Sequence, residues 1–181
     1  MFIYCTATTL NGYLATPEHS LDWLLSIPAE GVTPGGFSYA ALVMGSHTYE
    51  WVLAQENLLA QPEKWAGLYG DKPVFVFSSR DLPISAGADV RVLRGPVAEH
   101  LNTIRQAAGE GNVWLQGGGE LVGQFLDAGA LDEIILDVAP AALATGAPLL
   151  PREVLWPRLR LLEARQSGEF ARLRWRVERL G

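Results

Sequence analysis

Residues 113–129, VWLQGGGELVGQFLDAG, constrain the fold more than any other stretch of the chain. A short apolar run of strand length stops at Gly117, Gly118 and Gly119, resumes with helical spacing, and stops again at Gly129. A strand that turns straight into a helix is half of a strand–helix–strand crossover, the unit that builds parallel sheets. Glycine at Gly129 suits a helix C-terminus. Three glycines at the helix start leave backbone N–H groups with no side chain in front of them, the arrangement that receives an anion such as a diphosphate. The same glycines also suit tight helix-to-strand packing, and the spacing departs from the dinucleotide fingerprint because Val122 precedes Gly123.

The rest of the chain repeats the alternation. FIYCTATT, ALVMG, PVFVFSS, DVRVL, NVWLQ and EIILDVAP have strand character. SLDWLLSI is a short helix with Ser20 as N-cap, TPGGFSYA a second short helix or turn with Pro34 early in it, and SHTYEWVLAQ a helix with Ser46 or Thr48 near its start. Pro96 opens a helix that runs to about Ala108, and ELVGQFLDAG forms the next. The final RLRLLEARQSGEFARLRWRV is a hairpin turning near Ser167 and Gly168. The pattern predicts one α/β domain over 1–181, with a mostly parallel central sheet, flanking helices and a C-terminal antiparallel hairpin.

With 181 residues and 49% hydrophobic residues, a core forms without staples. The single cysteine, Cys5, excludes a disulfide framework and a cysteine metal site, and points to a reducing, cytoplasmic setting. No apolar run is long enough to span a membrane, and the net charge of -6 argues against nucleic acid. Eight of the fourteen basic residues lie after Leu150, against four acids there. In ARLRWRVERL, however, Arg172, Arg174 and Arg176 alternate with Ala171, Leu173, Trp175 and Val177, so the basic residues first read as the solvated face of a strand and only second as a surface for an anionic partner.

Ligands bind beyond the carboxyl ends of strands in such sheets. Three predicted strand ends carry suitable groups there: Gly117-Gly118-Gly119; Gly45-Ser46-His47-Thr48; and Ser78-Ser79-Arg80. Taken singly, the hydroxyls are also helix caps and Arg80 a surface residue. Together they favour a nucleotide-type cofactor.

With these residues in view, the chain resembles the dihydrofolate-reductase-like superfamily, and within it the C-terminal reductase domain of the bifunctional riboflavin-biosynthesis deaminase/reductase and its stand-alone relatives. The resemblance rests on TLNGYLA, LDWL, VMGSHTYE, KPVFVFSSR and, most specifically, VWLQGGGELVGQFLDAGALDEIILDVAPAALATGAPLL. It implies NADPH, with NADH as the alternative, held at its diphosphate by Gly117, Gly118 and Gly119, beside Gly45, Ser46 and Thr48, and near its adenosine end by Ser78 and Arg80. It implies hydride transfer to a pyrimidine- or pterin-type substrate, as in the 5-amino-6-(5-phosphoribosylamino)uracil reductase, and a homodimer without a metal. Relatives commonly carry Arg or Lys where this chain has Ser46-His47, and Ser-Leu-Asp-Gly where it has Thr9-Leu10-Asn11-Gly12. The zinc deaminase half, with its H-x-E and P-C-x-x-C, is absent from this sequence.

On the substrate side the candidates are Asn11, Trp23 and Asp22, the last as acid or anchor. An acid among Leu21 and Trp23 gains a raised pKa if buried; in a first helical turn it equally just meets the helix dipole. Two other functions fit the same residues: a dihydrofolate or pterin reductase, and a nucleotide-binding protein without turnover.

Overall fold

The computed structural model describes residues 1–28 and 36–179. Strands β1 (Phe2–Thr9), β3 (Ala41–Gly45), β4 (Val74–Phe77), β5 (Val90–Leu93), β6 (Val113–Gly117), β7 (Leu131–Ala139), β9 (Leu159–Ser167) and β10 (Phe170–Val177) form one eight-stranded sheet. Its order is β5-β4-β3-β6-β1-β7-β10-β9. Neighbours are parallel from β5 through β7, and β10 and β9 add antiparallel strands at one edge. This is the predicted architecture. A two-stranded sheet of β2 (Tyr13–Ala15) and β8 (Ala147–Pro148), absent from the sequence reading, lies beside it.

β1 occupies the centre, between β6 and β7, and Phe2, Ile3, Tyr4 and Cys5 are all buried. An unbroken apolar run is what a strand covered on both faces requires. On one face, Phe2, Tyr4, Val43, Phe75 and Leu115 pack against helices α4 (Val97–Ala108) and α5 (Gly119–Asp127). On the other, Leu42, Met44, Val74 and Val76 pack against α2 (Ser46–Gln55) and α3 (Lys64–Tyr69), the latter a helix the sequence reading missed. Further along that second face, Ile3, Cys5 and Ile135 are covered by Phe37 and Trp114.

Helix α1 spans only Asp22–Leu25, and its N-cap is Leu21 rather than Ser20. Ser20 sits one residue earlier and accepts the Asp22 N–H at its hydroxyl, 3.1 Å away. The predicted second helix or turn at 33–40 falls partly outside the described residues, Pro34 with it; residues 36–40 are not helical. Pro96 caps α4, and Gly129 follows α5 with φ 65, as their types predict.

The hairpin turns at Gly168 as expected, but its basic face is solvated only in part: Arg176 is exposed, Arg174 half-buried and Arg172 buried. Phe170 and Arg172 are buried while Ala171 is exposed. The reason lies across the sheet: Arg172 stands opposite Asp137 and Arg176 opposite Glu133, so β7 presents acids where β10 presents arginines.

Candidate active site

The parallel strands bring the three predicted ends to one edge of the sheet. β3 and β6 are direct neighbours, Met44 lying opposite Gly117. Their ends approach so closely that a Cβ on Gly45 would sit 3.9 Å from the Gly117 carbonyl oxygen and from the Gly118 nitrogen. Thr48 adjoins them: a Cβ on Gly117 would lie 3.7 Å from its hydroxyl oxygen. Gly117 has φ 141, a conformation side chains resist, and the Gly117–Gly118 peptide is cis.

The three glycines divide in function. A Cβ on Gly118 would meet nothing within 4 Å, so this residue, the N-cap of α5, presents open backbone. Gly119 is closed: its Cβ would lie 2.5 Å from the Leu149 carbonyl oxygen, because the chain after β8 runs across it. One turn on, Gly123 is covered by the Arg152 guanidinium. Arg152 in turn bonds Glu120 at 2.8 and 3.0 Å and Asp127 at 2.8 Å. The expectation that all three glycines face a ligand therefore narrows to Gly117 and Gly118, with Gly119 serving packing. Glu120 is occupied by Arg152, which holds its carboxyl below the usual range.

Beyond the crest, between the ends of β4 and β5 and the flank of α5, lies a cleft of about 390 Å³ lined by Phe77, Ser78, Ser79, Arg94, Leu121 and Gln124. Ser78 reaches it, but its hydroxyl also closes a local turn with the Arg80 backbone at 2.9 Å. Arg80 makes two hydrogen bonds to Glu50 of α2, at 3.0 and 2.8 Å, and does not line the cleft. Arg94, which the sequence reading passed over, does line it, paired with Asp81. Its position after β5 was the available signal.

On the other side of the crest, Asn11 uses both ends of its amide. It donates to the Leu143 carbonyl at 2.7 Å and accepts from the Leu143 N–H at 3.2 Å and the Thr9 hydroxyl at 2.9 Å. An aspartate could not make the first of these bonds, which gives Asn11 a structural reason in this chain. Asp22 is exposed on the short α1 rather than buried among Leu21 and Trp23. Trp23 is half-buried, and its indole N–H is buried without a partner. Tyr49 belongs to the core, its hydroxyl donating to the Pro83 carbonyl at 2.8 Å. His47, beside Ser46 at the start of α2, stacks on His19 with ring centroids 4.7 Å apart. No group of three or more potential metal ligands occurs among the described residues.

The chain matches a known family. Residues 2–171 match the model of the RibD C-terminal domain. The chain belongs to the RibD C-terminal domain family. Among curated proteins it is 28% identical to YwjB of Bacillus subtilis over 174 residues, 93% of each chain. It is 30% identical to the riboflavin biosynthesis protein RibD of Mycobacterium tuberculosis over 148 residues, 79% of this chain but 42% of that one. Among solved structures, a Shewanella protein named for riboflavin biosynthesis superposes with TM-score 0.78 at 24% identity, covering 98% of this chain and 99% of the other. Dihydrofolate reductase from Enterococcus faecalis, complexed with NADP(H), superposes with TM-score 0.58 at 14% identity, covering 99% and 97%. These likenesses establish the dihydrofolate-reductase-like fold. No helix among the described residues is long and apolar enough to cross a membrane.

Proposed function

We propose that this chain is an NADPH-dependent reductase delivering hydride to a pyrimidine- or pterin-type ring, in the manner of a 5-amino-6-(5-phosphoribosylamino)uracil reductase. The observation that carries the reading is the open backbone at Gly117 and Gly118 beside Gly45, at the carboxyl edge next to the central strand. A side chain there would block the approach that the glycines leave clear. The residues fit a dinucleotide. Gly117 and Gly118, at the start of α5, receive the diphosphate, Gly45, Ser46 and Thr48 flank it, and the cleft at Ser78, Ser79 and Arg94 takes the adenosine end. Arg80 reaches a 2′-phosphate by exchanging Glu50 for it.

When bound, the nicotinamide supplies the hydride. The chain's own residues hold the cofactor at the crest, keep the acceptor beside it and exclude water with the α1 segment, where Trp23 and Asp22 stand on the substrate side and Asn11 anchors the loop carrying Leu143. The one cysteine, a buried thiol, suits a reducing cytoplasm. The exposed Leu161 and Leu162 of the edge strand β9 support a homodimer, which sedimentation tests directly.

The deciding experiment is a fluorescence titration with NADPH and with NADH on wild type and Gly118→Asp. Asp is a good N-cap and its Cβ meets no neighbour here, so the variant keeps its Tm, while its carboxylate repels a diphosphate and weakens cofactor binding at least tenfold. Equal binding by both proteins, or none by wild type, sinks the reading. Oxidation of bound NADPH by the ribosylaminopyrimidine or by dihydrofolate then separates the two reductases, and oxidation by neither leaves nucleotide binding alone.

A further inference from the structure

Strand β7 breaks the rule that its position sets. It is paired on both sides, yet its LDEIILDVA places Glu133, Ile135 and Asp137 on the face that Ile3, Cys5 and Trp114 line, and both acids are buried. Buried carboxylates need partners. Glu133 has one, accepting the Arg174 Nε at 2.7 Å. Asp137 is less well served: Arg172, opposite it on β10, approaches only to 3.4 Å at Oδ1 and 3.5 Å at Oδ2, and Oδ1 accepts no hydrogen bond.

Four buried side-chain polar atoms among the described residues lack a hydrogen-bond partner: Trp23 Nε1, Trp65 Nε1, Arg158 Nε and Asp137 Oδ1. Asp137 supplies the only acceptor among them, and it lies two residues from the carboxyl end of its strand. It stands level with Ala7 of the central strand, which lies between it and β6, the strand that ends in the crest. Two strand spacings, about 10 Å, therefore separate Asp137 from the Gly117 crest. The face is the one opposite α4 and α5, and among the described residues Phe37 packs on its Ile3, Cys5 and Ile135. Arg172 is itself sealed beneath Gly36, whose Cβ, were there one, would meet the guanidinium at 2.6 Å.

We propose that Asp137 is the substrate-orienting residue: its Oδ1 accepts a ring N–H of a lactam-bearing nitrogen heterocycle, such as a uracil or pterinone, while Arg172 holds the carboxylate in place. The assignment rests on the reductase reading and deepens it. It moves the polar anchor from the exposed Asp22 to a strand residue set between the cofactor crest and the arginine. An N–H donor completes the coordination that the protein leaves open, whereas a ring methylated at that nitrogen leaves the oxygen unpaired and is rejected, the discrimination that buried polar groups give most strongly.

The test is calorimetric titration with 5,6-diaminouracil and with its 1,3-dimethyl analogue, with and without saturating NADPH. Three proteins are compared: wild type, Asp137→Asn, and the double variant Asp137→Leu/Arg172→Leu. The double variant removes both charges together, a change that buried pairs often tolerate, so it covers the case in which the single variant fails to fold. Wild type is expected to bind diaminouracil at least tenfold more tightly than the dimethyl analogue. Both variants are expected to lose that preference while their NADPH affinity stays within twofold of wild type. The proposal is overturned if a folded variant keeps the preference, if wild type binds both probes alike or neither, or if the variants lose NADPH in proportion. Failure of wild type to bind NADPH, read separately, would instead strike the reductase reading.

Discussion

Gly118 and Gly119 are adjacent in sequence and opposite in what surrounds them. The first faces open space, and the second lies against the backbone carbonyls of Pro148 and Leu149. Main-chain atoms cannot rotate aside as a side-chain tip can, so a methyl at Gly119 must push the segment after β8 off α5. Gly119→Ala is expected to cost about 3 kcal/mol, the upper end of overpacking penalties, which lowers Tm by roughly 6–12 °C for a chain of this size. Gly118→Ala loses only a favoured N-cap and is expected to cost no more than about 1 kcal/mol. Thermal unfolding of the two variants checks the contrast; similar losses would show that the crest is one packed unit and that Gly118 is not kept open for a ligand.

At the scale of elements, strand ends and helix starts were legible because they are local. Apolar runs of strand length bounded by glycine or proline gave β1, β3, β4, β6 and β7, and Pro96 and Gly129 gave helix limits. What escaped depends on distant partners. The two-residue β8 exists only because β2 lies beside it, and α3 shows no strong periodic stripe in six residues. The site followed the same division: the crest was read from glycines, but Arg94 and Asp137 required knowing which strands adjoin. The burial of Arg172 within the basic face of β10 escaped for this reason, since alternation says which residues share a face and not what opposes it. The opposing acids make Arg174 structurally important. Its partner Glu133 is 5% exposed at the side chain, so Arg174→Ala strands a buried carboxylate. The expected cost is about 2 kcal/mol, less than the roughly 3–5 of a fully buried pair because Arg174 itself is 40% exposed. Arg165→Ala, which breaks an exposed pair with Glu163 on β9, is expected to stay within about 0.5 kcal/mol. Urea midpoints of the two variants decide it, and equal losses would mean that the β7–β10 pairing is no more than surface charge.

For the whole molecule, these carboxylates set how stability responds to pH, and they pull in opposite directions. Glu120 and Asp89 are held below the usual range by Arg152 and Arg91, so their contributions are present above the ordinary carboxylate pKa and are lost as pH falls through their lowered values. Glu120 is exposed and Asp89 partly so, which keeps those contributions small. Asp137 is pushed up by burial, against the pull of Arg172 and Arg165. Between the ordinary aspartate value and its raised one, the folded chain holds a proton that the unfolded chain has released. Stability therefore falls as pH rises through that window, and the cost of the buried charge persists above it. Asp137→Asn has no proton to lose, so its stability is expected to be flatter than that of wild type from about pH 4 upward, whatever constant offset the substitution brings. Urea denaturation of both proteins at half-unit intervals between about pH 4 and about pH 7 measures the difference in slope. A wild-type curve that declines relative to the variant would establish an under-partnered carboxylate in the folded state, the condition a substrate N–H would relieve. Parallel curves would mean that Arg172 already satisfies Asp137, and would remove the energetic reason for a ligand to bind there.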